Sequence, residues 1–455
     1  MNREFPASAP VSEWHEFLRL HPGITGLDAF VVDVNGNTLG KRVPTADAAK
    51  IFTDGVQFSA CALIADCRGL GHNVQGFGGS DGDPDGTALP VPTSLCLAPW
   101  TQAPVAQVLC SMRDVEAQRP FWFDPRVILA DVVAQCRDAG IRPVVACELE
   151  FYLVDPRRAA DGGIALAAAA PNAGPPRRAA NLSMDEIELN SGFLNEVERS
   201  AAAQGIPVCG AVAEYGVGQF EVNLRHVSDP QAAADHAVLL KRLVKGVARS
   251  MGMQATFMAK PFAQQPGSGL HVHVSLVDEN GVNRFGTDGG EELLRHAIAG
   301  MQALMFDSIG ICAPNFNSHR RYLASFVPTT RDWGHNNRSV AFRVPAASGP
   351  ARRIEHRVAG ADASPHLVLA VILAAVLHGI VRKLPATAPA EGRANAERGA
   401  EFPRDLFAAL ERTRTSRVLG DFLPPKFLEL FAELKRRECA ALMQDILSVE
   451  YDFYL

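Results

Sequence analysis

The sequence lacks most features that mark a secreted, membrane-bound or nucleic-acid-binding chain. Its nine cysteines (61, 67, 96, 110, 136, 147, 209, 312 and 439) are odd in number and scattered, with no C-x-x-C pair. Neither a disulfide framework nor a zinc ribbon is expected; most of them, beside Val, Ala or Leu, read as small buried hydrophobes in a reducing cytoplasm. Met1 to Trp14 shows no basic start followed by an apolar core, so no signal peptide is expected. The longest purely apolar run, Leu367 to Leu377, is too short to span a bilayer. There is no basic surplus either: 44 Lys+Arg stand against 50 Asp+Glu, a net charge of −6. A general nucleic-acid binder would carry a basic face, so that class is excluded. No G-x-x-x-x-G-K-[ST] occurs, which excludes a P-loop nucleotide site, and no repeat of 20–50 residues is visible.

What is present is an ordinary globular composition, 455 residues with 47% hydrophobic and 21% charged, enough for two or three domains. Residues 12–20 have a helical pattern. The period then changes to two, and Ala29 to Lys41 reads as a β-hairpin around Asn35-Gly36. Strands are expected at 61–65 and 105–111, and the Gly- and Asp-rich stretch 69–90 is expected to be loop. Its Asp81–Gly86 portion mimics the opening of an EF-hand, but Pro92 stands where the twelfth-position Glu belongs. A small β-rich domain therefore ends near Arg119-Pro120. A helix is expected from Asp124-Pro125 to Asp138 and a strand over Ile141–Val154, and 157–180 reads as a low-complexity surface insertion. Helices near 184–204, 229–251, 289–308 and 364–383 then alternate with short strands. The fold class is α+β, with domains at 1–119 and 120–455.

Four short segments carry the chemistry. In Val144–Val154, Glu148 and Glu150 are two apart and share one face of a strand. At ~6 Å and an effective dielectric of ~20 they repel by roughly 3 kcal/mol, so a cation is expected to compensate them. In Ala213–Asn223, Gln219, Glu221 and Asn223 alternate with Phe220 and Val222. Glu214 would face the other way in a straight strand, but Gly216-x-Gly218 supplies a turn that could bring it back. In Gly267–Leu276, His271, His273 and Ser275 share a face after a glycine-rich approach, suited to a metal and a phosphate or ribose. In Ala351–Arg357, Glu355 sits between Arg353 and Arg357, with Arg320-Arg321, Arg338 and Arg343 upstream. Arg gathered in a chain of negative net charge suits bidentate binding of phosphate and carboxylate. Five Glu and one His of ligand type favour Mg²⁺ or Mn²⁺, and a carboxylate cage beside an Arg clamp is what phosphoryl transfer needs.

In order, Cys147-Glu148-Leu149-Glu150-Phe151, Glu214 to Glu221, Gly267 to Ser275, Asn336 to Pro345 and Arg352 to Arg357 resemble the motifs of the glutamine synthetase superfamily. The resemblance spans nearly the whole chain and is nearest to the γ-glutamylpolyamine (γ-glutamylputrescine) synthetase branch. It implies a β-grasp-like N-terminal domain and a catalytic domain with a curved antiparallel sheet. It implies ATP as co-substrate and two or three Mg²⁺ or Mn²⁺ per site. Glu150, Glu214 and Glu221 match the ligands of the first metal; Glu148, His271 and Glu355 match those of the second. Gly267, Arg321 and Arg357 match glutamate-holding positions, and His273, Ser275, Arg343 and Arg353 match ATP-side positions. Arg338 matches the residue bridging phosphate and substrate, and Asp66 an acid lent by the neighbouring subunit to deprotonate the nucleophile. L-glutamate and a small amine are the implied substrates, in a cytoplasmic homo-oligomer, a dodecamer of two stacked rings, with neither membrane nor nucleic-acid partner.

Two departures bear on the substrate. Ammonia-using members place a Glu shortly after the Arg321-like residue, whereas Tyr322 to Pro328 contains no acid, Phe326 or Val327 falling there; this opens room for an alkyl amine. Pro266 stands where many members have Asn, which bears on a backbone contact to glutamate. The expected activity is ATP-dependent ligation of glutamate to putrescine or another polyamine. The alternatives are glutamine synthetase acting on ammonia and a non-catalytic regulatory paralogue.

Overall fold

The computed structural model describes residues 8–78, 80–116, 119–159, 162–167, 181–324, 327–394, 399–446 and 448–455. Two sheets organise them. The first comprises β1 (Gly26–Val32), β2 (Thr38–Pro44), β3 (Val56–Ser59), β4 (Asp85–Pro90), β5 (Cys96–Leu97) and β6 (Val105–Asp114). Its order is β2-β1-β6-β4-β3, with β5 beside β6, and only the β1–β6 pair is parallel. The expected hairpin forms β1 and β2: Asp33 Oδ1 accepts the Asn35 and Asn37 amides at 2.9 and 2.7 Å, and Gly36 takes the positive φ of 78° that the turn demands.

Two local expectations fail here, and one element was not foreseen. Ala60–Ile64 is a 3₁₀ turn rather than a strand, because the Ser59 hydroxyl accepts the Cys61 amide and draws the backbone inward. The supposed loop 69–90 ends in β4, stabilised by partners on both sides despite its Gly- and Asp-rich approach. Thr45–Asp54 is a helix that the sequence reading did not anticipate.

The second sheet comprises β7 (Arg142–Val154), β8 (Val208–Ala213), β9 (Gln219–Leu224), β10 (Gln254–Thr256), β11 (Leu270–Val277), β12 (Trp333–His335), β13 (Phe342–Val344) and β14 (Ile354–His356). Its order is β12-β13-β14-β11-β7-β9-β8, with β10 on β7, antiparallel throughout except β12–β13. The helix Pro125–Asp138 opens as expected, with Pro125 in its first turn and the Asp124 side chain accepting the Arg126 amide. The expected helix near 184–204 is broken at Asn190 into Met184–Leu189 and Ser191–Ala203. Of the 157–180 insertion, residues 160–161 and 168–180 lie outside the described residues.

Pro230–Ser250 packs on β7 and β10, and its buried Lys241 donates to the Ala361 carbonyl at 3.0 Å, tying down the chain just after β14. Behind it, Pro365–Val381 is apolar almost all round and packs against Pro125–Asp138, Pro230–Ser250 and Gly290–Leu304. Gly300 and Gly379 face one another at the last of these crossings. A β-carbon on Gly300 would stand 1.9 Å from the Ala375 carbonyl oxygen, and one on Gly379 2.1 Å from that of His296. Four further C-terminal helices, Leu406–Thr415, Arg417–Gly420, Pro425–Leu442 and Ser448–Tyr454, complete the described fold. Among the described residues, no helix is long and apolar enough to cross a membrane.

Candidate active site

Parity and register together build one polar face. On β7, Glu148, Glu150 and Tyr152 alternate with Cys147, Leu149 and Phe151, which are fully or almost fully buried. His271 pairs across the ladder with Glu148, Glu150 with Glu221, Glu148 with Asn223, and His273 with both Glu355 and Ala146. Side chains from β14, β11, β7 and β9 therefore converge on one side of the sheet.

The carboxylates close on His271. Its Nδ1 lies 3.6 Å from Glu148, 3.9 Å from Glu355 and 4.0 Å from Glu221, and its Nε2 lies 3.8 Å from Glu150. Two groups of potential ligand atoms result, Glu148–His271–Glu355 and Glu150–Glu221–His271, each with all its atoms within 4.8 Å of one another. The first is the set expected for the second metal. In the other, His271 stands where Glu214 was expected. Gly216 and Gly218 do turn the chain back, since the Glu214 amide donates to the Gln219 carbonyl at 2.9 Å. Yet the Glu214 carboxylate accepts the Tyr215 amide at 3.2 Å and lies outside both groups.

The acids repel as buried like charges must. Burial pushes Glu221 well above the ordinary carboxylate range, helped by Glu148, Glu150 and Glu214. Burial and Glu150 push Glu214 up to about 7, against the pull of Arg338 and Arg357. Burial would also raise Glu148 and Glu355, but His271 and His273 hold Glu148 low, while Arg357 with both His residues holds Glu355 at about 2. A buried set of oxygen donors with one imidazole, carrying more negative charge than its surroundings neutralise, fits a hard divalent cation.

Arginines flank this face. Glu355 accepts from Arg343 at 2.7 Å and from Arg357. Arg353 Nε donates to His273 Nδ1 at 3.0 Å, and His273 Nε2 lies 2.9 Å from Glu148; Ser275 follows on the same face, buried. Arg321 ends the helix Phe316–Arg321, donates to the Val358 carbonyl at 2.9 Å, and keeps a buried Nε without a partner among the described residues. Only glycine fits beside it: a β-carbon on Gly267 would be 2.8 Å from its side chain, and one on Gly269 2.7 Å from its Nη2. Arg338 is exposed, near enough to Glu214 to act on its charge. A cavity of about 350 Å³ opens beside Arg343, lined in part by Asn336, Ser348 and Arg352.

Three residues on this face were not assigned roles from the sequence. Gln219 donates to the Gly267 carbonyl at 3.0 Å, Asn223 to Glu148 at 3.1 Å, and Tyr152 to the Pro266 carbonyl at 2.8 Å. Tyr152 could have been found, since it is two residues beyond Glu150. The Pro266–Gly267 backbone is thus held by side chains of the strands.

Asp66 lies elsewhere. It is fully buried, and its carboxylate accepts from the amides of Arg68 and Leu70, the Arg68 guanidinium and His72. Burial opposes its ionisation, but the bonds from His72, Leu70 and Arg68 more than offset that and hold it below the usual range. Of the acid-free segment, Tyr322 and Val327 are buried, and 325–326 lie outside the described residues.

Residues 123–454 match the family described as "Glutamine synthetase, catalytic domain". The chain is 37% identical over its whole length to γ-glutamylputrescine synthetase PuuA of Escherichia coli, covering 96% of that protein. It is 33% identical to glutamate–isopropylamine ligase of a Pseudomonas species, over 92% of each chain. A solved structure of GmaS in complex with ADP superposes with a TM-score of 0.83 at 26% identity, over 98% of this chain and 99% of that one. On the strength of the family match over residues 123–454 and the full-length similarity to γ-glutamylputrescine synthetase, the chain belongs to the glutamine synthetase family.

Proposed function

We propose that the protein is an ATP-dependent ligase that joins the γ-carboxylate of L-glutamate to an amine through γ-glutamyl phosphate. The observation that carries this reading is the convergence of four carboxylates on His271, with the Arg321 and Arg357 guanidinium groups beside them. Glu148, His271 and Glu355 would hold one divalent ion on the ATP side. Glu150, Glu221 and Glu214 would hold another on the glutamate side, the carboxylate of Glu214 swinging in from the hairpin. Two or three Mg²⁺ or Mn²⁺ would, when bound, neutralise phosphate charge.

Arg321, Arg357 and the Gly267 backbone orient glutamate so that its γ-carboxylate lies in line with the γ-phosphate of ATP. His273, Ser275, Arg343 and Arg353 hold the nucleotide, and Arg338 spans phosphate and substrate. Transfer of the γ-phosphoryl group gives ADP and γ-glutamyl phosphate. Asp66 of the neighbouring subunit, once one of the Arg68 or His72 bonds that fill its carboxylate gives way, takes a proton from the amine, which then displaces phosphate to form the amide. This requires a homo-oligomer with sites between subunits, which we take to be a cytoplasmic dodecamer of two rings. The division into an N-terminal domain, 1–119, and a catalytic domain, 120–455, places Asp66 on the first and the metal face on the second.

The nucleophile is an alkyl amine, putrescine or another polyamine. The missing acid in 322–328 removes a charge that would retain ammonium, and the relatives described above are named for putrescine and isopropylamine. The test is ADP release by the full-length protein with L-glutamate and Mg²⁺, comparing ammonia, putrescine, spermidine, ethanolamine and a monoamine. The highest kcat/KM is expected for a di- or polyamine. Ammonia as the best nucleophile would make it a glutamine synthetase, and no turnover with any amine would make it a non-catalytic paralogue.

A further inference from the structure

A buried ion pair outside the metal face has no place in the mechanism above. Lys435 and Glu438 lie one turn apart on Pro425–Leu442, and neither side chain is more than 3% exposed. The Lys435 ammonium is 3.1 and 3.3 Å from the two Glu438 oxygens. Burying such a pair is a poor way to stabilise a helix, since apolar residues of similar size commonly do as well or better.

Its remaining contacts are what distinguish it. Glu438 Oε2 accepts the backbone amide of Cys67, the residue after Asp66, at 2.9 Å. On the other flank of Asp66, Asn35 donates to the Ala65 carbonyl at 2.8 Å. Lys435 donates to Asn315 Oδ1 at 2.9 Å, and Asn315 Nδ2 donates to Asp362 at 2.8 Å. Asp362 also accepts from Ser318 at 2.6 Å, within the helix that ends in Arg321. A continuous polar chain thus runs from the Asp66 loop, through the C-terminal helix, to the helix bearing a glutamate-side arginine.

We propose that Glu438 is a positioning residue: through the Cys67 amide it grips the Asp66 loop on its own subunit, from which Asp66 is presented to the neighbouring subunit's site. Asp66 is already saturated by its own loop, so the loop moves as one rigid piece and its placement depends on what grips it from outside. The inference rests on Asp66 acting on the amine, as proposed above.

The test compares two double variants of the full-length protein. Lys435→Met with Glu438→Gln removes both charges but keeps an acceptor for the Cys67 amide. Lys435→Met with Glu438→Leu removes the acceptor as well. The first is expected to keep kcat/KM for the amine within about threefold of wild type. The second should lose about tenfold or more, the scale on which misplaced catalytic groups fail. Its amine-independent ADP release with glutamate should stay within about twofold, because that step does not use Asp66. Equal behaviour of the two variants, or a loss confined to the glutamate KM, overturns the proposal.

Should the leucine variant fail to fold, hydrogen exchange on the wild-type protein decides. The Cys67 amide must exchange far more slowly than the neighbouring exposed loop, and comparable exchange refutes the grip. Asp66→Asn separates this inference from the reading it rests on. If that change leaves the amine kcat/KM intact, Asp66 is not the base, and the positional claim stands or falls on exchange alone.

Discussion

His271 faces Glu148 across the β11–β7 ladder, and its imidazole lies within 4.0 Å of four different carboxylates. One side chain is therefore common to both candidate metal groups, and its removal should affect both. His271→Ala is expected to weaken Mn²⁺ binding by more than about a hundredfold, beyond what losing a merely supporting contact costs, and to abolish turnover. Calorimetric titration with Mn²⁺ beside an ADP-release assay checks this. Wild-type affinity with only the activity lost would place His271 outside the metal set.

Cation binding should be linked to pH. Glu214 is raised to about 7 and Glu221 higher than usual, so below those values each holds a proton that an incoming cation must displace. Mn²⁺ affinity should climb as pH rises from 6 to 8, with protons released on binding. Titration in two buffers of different ionisation enthalpy measures that release, and a pH-independent affinity without it contradicts the assignment.

Gly269 tests the glutamate side. An alanine methyl there would stand 2.7 Å from Arg321 Nη2 and 3.0 Å from His271 Nε2, so both must shift. Gly269→Ala should raise the glutamate KM by about tenfold or more, with little change in the thermal midpoint. An unchanged KM would mean that Arg321 does not hold glutamate.

The helix crossing behind the sheet gives a prediction about stability alone. Gly300→Ala places a methyl group 1.9 Å from a backbone carbonyl of the facing helix, where no rotamer change can relieve it. A loss of about 1–3 kcal/mol or more is expected, read as a lower denaturant midpoint. Stability equal to wild type would show that the helices separate at no cost.

The metal face was legible because β-strands write it in alternate residues: Glu148 and Glu150, His271 and His273, and Glu221 each declare a side by their apolar neighbours. The place of Glu214 was not, since it depends on how a two-glycine hairpin closes. Asp66 drew notice only through resemblance, because its partners crowd within six residues and look like an ordinary loop. Glu438 and Lys435 were invisible for a physical reason. An i, i+3 acid–base pair on a helix normally reads as solvated surface, and nothing local reveals that a backbone amide 371 residues earlier covers it. The stretch Ala60–Ile64 misled because a short apolar run has no period long enough to separate strand from turn.

The alternation along β7 has a last consequence. A strand can slip past its neighbours only by whole residues, and a slip of one would exchange Glu148 and Glu150 for Cys147, Leu149 and Phe151. Damage to this face by insertion or deletion is thus all-or-none: a single residue gained or lost within the strand erases the acids at once, whereas two gained or lost would shift them along and leave them pointing to the same side.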